Sequence, residues 1–123
     1  MADVPNANTV TLPWHPLSLN PNARAHWSCI ARCKRSYRSS AFFASVRAFG
    51  YEPGFTAPLD VSITFCPPDN RGRDLDNMLA SIKAGLDGIA DAIKVDDRHW
   101  RLTIKRGEVV KGGAVHVRIE GQL

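Results

Sequence analysis

Apolar residues recur along this chain with two periods, and the switches between them outline its elements. Leu59, Val61, Ile63 and Phe65 alternate with Asp60, Ser62, Thr64 and Cys66, the two-residue period of a strand with one buried face. Val10, Leu12 and Trp14 alternate against Thr11 and Pro13. The proline, which cannot donate to a ladder, predicts a sheet edge. Leu102 and Ile104, then Val115, Val117 and Ile119, mark two further strands, and Lys111-Gly112-Gly113 between them predicts a hairpin. Helical spacing governs residues 75–93, where Leu75, Met78, Leu79, Ile82, Leu86, Ile89 and Ile93 form a core-facing stripe. A second helix is expected from about Arg24 to Phe49, with Trp27, Ile30, Ala31, Tyr37, Phe42, Phe43 and Val46 as apolar surface. Ser36, Ser39 and Ser40 are candidate interruptions of that helix. Residues 15–23 and 50–58, rich in turn formers, read as connectors.

The order strand, helix, strand, helix, strand, strand predicts one small α+β domain over residues 1–123. Its mixed or antiparallel sheet of about four strands would pack with two main helices. The length allows one core, and 44% hydrophobic with 23% charged residues is the balance of an ordinary globular chain. No run approaches the roughly 18 apolar residues of a membrane span. The opening MADVPNANTV lacks the basic-then-apolar order of a signal peptide, so a cytoplasmic protein is expected. Cys29 and Cys33, with His26, could line one helix face, but no CxxC spacing occurs and free thiols are expected.

Charge changes the picture more by its distribution than by its net value of +4. Residues 24–47 carry Arg24, Arg32, Lys34, Arg35, Arg38 and Arg47 without one acid. Such a stretch suits the phosphates of a nucleic acid, fixing position rather than reading bases, or is simply a solvated helix surface. The acids gather instead at residues 74–97.

There, RGRDLDN at 71–77 sets Asp74 and Asp76 one residue apart behind Arg71 and Arg73. Asp74 falls where the long helix begins, and Asp76 in its first turn. Capping and the helix dipole alone would favour acids there by roughly 0.3–2 kcal/mol. A metal site is the other reading. Asp96 and Asp97, in VDDRHW beyond the helix, add carboxylates from a second element. Oxygen ligands of this kind suit Mg²⁺ or Mn²⁺, and the flanking arginines suit phosphates. On an ideal helix Lys83 lies about 20° round from Asp76 and about 10 Å further along, within reach of a phosphate or leaving oxygen. Asp87, at i+4, offers it a simple ion pair instead.

These residues resemble the RusA family of Holliday-junction resolvases, small endonucleases of bacterial and prophage origin. The matching pieces run in order: TLPW at 11–14, RDLDN at 73–77, VDD at 95–97 and KGG at 111–113. The resemblance implies a homodimer that binds four-way DNA junctions and cuts two strands symmetrically with Mg²⁺ or Mn²⁺. By position, Asp74 and Asp76 match the paired acids and Asp97 the third essential acid, while Asp96 is a neighbour without an assigned role. The family's catalytic lysine, four residues after the second aspartate, is here Ala80. Lys83, one turn on, is the candidate substitute. Trp27, Phe42 and Phe43 are candidates for a dimer contact. His26, His99 and His116 receive no catalytic role. Three other classes stay open: a non-catalytic DNA-binding module, a metal-dependent nuclease without junction preference, and an oligomeric scaffold.

Overall fold

The computed structural model describes residues 8–121, so the first seven positions, read above for a leader, lie outside the described residues. Strand β1 (Thr9–Pro13) leads through a 3₁₀ turn at Leu17–Leu19 into α1 (Trp27–Phe49). Strand β2 (Leu59–Cys66) is followed by α2 (Leu75–Ser81) and α3 (Lys83–Ile93). A 3₁₀ turn at Asp97–His99 then opens into β3 (Trp100–Arg106), and β4 (Ala114–Gly121) follows. The result is a small α+β domain with three helices against one face of a four-stranded mixed sheet, ordered β1-β4-β2-β3.

The expected hairpin between the last two strands does not form. β3 pairs in parallel with β2, Val61 opposite Leu102, whereas β4 lies antiparallel between β1 and β2. Burial explains the order. Val115, Val117 and Ile119 are fully buried, and β4 reaches that state only with a strand on either side. Val117 joins Val10 and Ile63 in one row across three strands. β1 is an edge strand, as Pro13 requires. β3 is the other edge, and Leu102, although aligned with the core face, stays exposed there.

Sheet residues Leu12, Leu59, Ile63 and Phe65 meet Ile82, Leu86, Ile89 and Ile93 from the helices. Each such burial is worth about 1.5–3 kcal/mol. The serines of α1 do not interrupt it. Ser36, Ser39 and Ser40 are exposed and cost only tenths of a kcal/mol each, while Tyr37 and Ala41 pack inward. Helix α1 lies so close to α3 that a Cβ on Gly88 would stand 2.2 Å from the Arg38 carbonyl oxygen.

The predicted helix at 75–93 is broken. Ile82 sits at φ −104°, ψ 9°, its N–H bonding the Leu79 carbonyl, and the Ser81 hydroxyl donates to the Asn77 carbonyl at 2.7 Å. Side-chain back-bonding of this kind competes with the helical ladder. The apolar stripe survives because Ile82 and Leu86 both still face the sheet.

Candidate functional site

Lys83 is the first residue of α3, so the break at Ile82 sets its direction. Its ammonium donates to Asp87 at 2.9 Å and also to Asp97, beyond the far end of α3. The turn carrying VDD therefore folds back along the helix. The hydrogen bond that Lys83 donates to Asp97, with Asp87 adding to it against partial burial, raises the Lys83 amine above its ordinary pKa and keeps it charged. Lys83 makes the expected i+4 pair with Asp87 and adds a second ion pair, with Asp97.

Asp96 and Asp97 divide their roles. Asp96 caps the 3₁₀ turn by accepting the Arg98 N–H at 3.0 Å, and that bond holds its carboxyl below the ordinary range. Asp97 is the residue left to face Lys83.

Asp76 and Lys83 line one cleft of about 530 Å³, with Leu79, Ala80 and Ala84 as its apolar wall and Asp87 and Lys34 at its sides. Ala80, where the resolvases that the motifs resemble carry a lysine, belongs to this wall and brings no amine to it. Lys34 brings the basic helix α1 to the same cleft. Asp74 does not join it. As the residue before α2 it lines a separate cleft of about 270 Å³ with Trp14, His15, Asn20 and Asn77. Asn77 donates to it at 3.4 Å, too long for a strong bond. Among the described residues no three His, Cys, Asp or Glu side chains stand together as a preformed metal cage.

Trp14 joins the remaining motif pieces. The Arg73 guanidinium lies 5.6 Å over its ring, and a Cβ on Gly113 would stand 2.8 Å from the Trp14 Cβ and Cγ. Gly113 also sits at φ +74°, so KGG ends in glycine on two counts. TLPW, RDLDN and KGG thus meet at one indole.

Arg71 and Arg73 are less free than the sequence suggests. Asp69, which the sequence reading passed over, pairs with Arg71 at 3.1 Å and with Arg73 at 2.9 Å. These bonds hold its carboxyl far below the usual range. Arg38 is likewise committed, to Asp91 of α3 at 2.8 Å. Arg24, Arg32, Lys34 and Arg35 are exposed. His26, expected inside the helix, instead caps α1 by accepting the Ser28 N–H, and among the described residues it forms no metal-holding group with Cys29 and Cys33, which are free thiols.

His15 also escaped the sequence reading. It is 8% exposed, and burial, reinforced by the positive charge of Arg73, pushes its pKa down to about 4. Its Nδ1 has no hydrogen-bond partner among the described residues. The only advance signal was a histidine wedged between TLPW and a proline.

The chain is 39% identical over 126 residues to an uncharacterized protein of Xylella fastidiosa (strain Temecula1 / ATCC 700964), an alignment covering 98% of this chain and 81% of the relative. The two proteins belong to one family. No protein-family profile matches the chain. Among the described residues no helix is long and apolar enough to cross a membrane.

Proposed function

We propose that the protein is a metal-dependent, structure-selective endonuclease that resolves four-way DNA junctions, the activity of the RusA-type resolvases its motifs resemble. One observation carries the reading: Asp97 folds back onto Lys83, which lines one cleft together with Asp76 and with Lys34 of the basic helix. Acids from two elements, a charged amine and a cationic helix are what phosphodiester hydrolysis asks of a protein.

The donor set fits a hard divalent cation. All the candidate ligands are carboxylates, and Mg²⁺ takes only one or two of these, completing its shell with water and substrate oxygens. As the resemblance implies, Asp74, Asp76 and Asp97 would hold Mg²⁺ or Mn²⁺, but only once drawn together, since Asp74 lines a separate cleft and the three form no group among the described residues. When bound, such an ion supplies an activated water and neutralises charge on the phosphate. Lys83 donates a hydrogen bond to a non-bridging or leaving oxygen, with its proton held in place by Asp97 and Asp87. Lys34, Arg24, Arg32 and Arg35 bind flanking phosphates without regard to base. Symmetric cutting of two strands calls for two such sites, hence a homodimer. The exposed Trp27 and Phe43 of α1 suit its interface.

The test is cleavage of a labelled synthetic four-way junction with Mg²⁺, with Mn²⁺ and with EDTA, beside linear duplex and the Asp76→Asn variant. Paired, metal-requiring nicks that vanish in the variant are expected. Equal cutting of linear duplex would turn the reading to a nuclease without junction preference. Binding without cutting in either metal would leave a DNA-binding module.

A further inference from the structure

The helices pack on one face of the sheet, and no described helix covers the other. Strand register sorts that open face into rows. Lys105, Thr64, His116 and Thr11 stand side by side in one row, and Thr103, Ser62 and Arg118 in the next. Acids enter only in a third row, where Asp60 and Glu120 join Arg101. Each is bound by an arginine, Asp60 by Arg101 at 2.7 Å and Glu120 by Arg118 at 3.1 Å. The first two rows thus set cations among hydroxyls with no negative charge between them.

Lys105 is exposed and makes no ion pair or hydrogen bond among the described residues, and the Ser62 and Thr64 hydroxyls have no partner there either. Thr11 holds the His116 ring at Nδ1 across 2.9 Å. A depression of about 400 Å³ is lined by Lys105, Thr64 and His116 of the first row, by Ser62 and Arg118 of the second, and by Glu120. Its lining lacks the aromatic or aliphatic anchors on which protein interfaces depend. It also lacks a ring on which an unpaired base would stack. What it offers suits phosphate: an ammonium, a guanidinium, an imidazole and hydroxyls. Successive rows lie two residues apart along a strand, about 6.8 Å, close to the step between neighbouring phosphates of one nucleic-acid strand. A duplex turns that repeating backbone outward and its bases inward, which matches a face of polar side chains.

We propose that the open face of the sheet binds the phosphate backbone of duplex nucleic acid without regard to sequence. Lys105, Thr64 and His116 take one phosphate, and Ser62 and Arg118 adjoin the next. Asp76 and Lys83 belong to the helix layer on the opposite side of the sheet. The duplex held here is therefore a second segment, away from the bond that is cut. The inference rests on the nuclease reading for one thing only, that this segment is an arm of the same branched DNA.

The test measures equilibrium binding in EDTA, where nothing is cut. A labelled linear duplex is titrated over a series of salt concentrations with wild type, Lys105→Ala, Lys105→Arg and Thr64→Val. Lys105→Ala should weaken binding severalfold for duplexes of any sequence and lower the slope of log affinity against log salt by about one. Lys105→Arg should restore both. Thr64→Val, which keeps the β-branched shape, should weaken binding about threefold with the slope unchanged. In isotope-labelled wild type, duplex should shift the amide resonances of Ser62, Thr64, Lys105 and His116 to saturation. Unchanged affinity and slope in Lys105→Ala, with shifts confined to α1 and the Asp76 cleft, would overturn the surface and leave the nuclease reading standing. Duplex binding that depends on Lys105, in a protein that cuts no junction, would uphold the surface and overturn the nuclease reading. Shifts of these amides with inorganic phosphate but not with duplex would overturn the surface and leave a small-anion site.

Discussion

Lys83 is ion-paired with Asp97, fourteen residues further along the chain. The contact joins the first residue of α3 to the turn beyond its last, and so links the two halves of the acidic constellation. Lys83→Ala should lower junction cleavage by about 100-fold, the loss typical of one donor to a developing oxyanion. Stability should fall by no more than about 1 kcal/mol, because the pair is partly exposed. Ala80→Lys in the Lys83→Ala background brings an amine to the cleft wall and should restore part of the rate. Single-turnover kinetics beside a thermal melt check both. Unchanged cleavage in Lys83→Ala would confine the residue to a structural ion pair.

Asp76→Asn should reduce metal-dependent cleavage by roughly 1,000-fold or more while leaving junction affinity in EDTA within about twofold. Gel-shift and cleavage assays on one preparation separate the two effects. A variant that cuts normally would return Asp76 to the first turn of a helix and nothing more.

Gly113→Ala should destabilise the fold by about 1–3 kcal/mol. It places a Cβ in the Trp14 ring and forces a side chain into left-handed backbone. Gly88→Ala should cost at least as much, since it meets the Arg38 carbonyl of a packed helix rather than a movable side chain. Urea unfolding midpoints give both values. An effect below about 0.5 kcal/mol at position 113 would mean that the indole moves freely.

His15 makes stability depend on pH in a defined window. The folded ring takes up a proton only near pH 4, whereas an unfolded histidine does so near 6.5. The unfolded chain binds more protons between these values, so stability is complete above pH 6.5 and falls as the pH drops toward 4. The whole loss is at most about 3 kcal/mol. Asp69 and Asp96 have lowered pKa values and act below the ordinary carboxylate range, outside this window. Urea midpoints at pH 7, 5.5 and 4.5 should fall more steeply for wild type than for His15→Gln. Parallel decline would assign the acid sensitivity elsewhere.

Strands β2 and β4 were legible because each buries one face, and alternation is the direct trace of that. The parallel pairing of β3 was not. Turn residues at Lys111–Gly113 mark where the chain bends, but nothing local says which strand slides in between. That choice is made by the burial of Val117 between Val10 and Ile63. The break at Ile82 was hidden for the opposite reason, since the stripe continues through it. At the site, Asp74, Asp76, Lys83 and Asp97 could be singled out by residue type and spacing, but that Asp74 would line a separate cleft from Asp76 was not legible. Nor were Asp69 and His15. One acts through a turn that only the folded loop closes, and the other gains its character from burial by elements far off in sequence.

The central position of β4 also orders events in time. Every other described element leaves the ribosome before it, and β1 has no other neighbour in the sheet. A nascent chain halted before residue 114 can pair β2 with β3 and dock helices on them, but its first strand must wait unpaired. Closure joins opposite ends of the described chain, the kind of distant contact that slows folding. Assembly of the Trp14 hub belongs to that last step, because Gly113 arrives with β4.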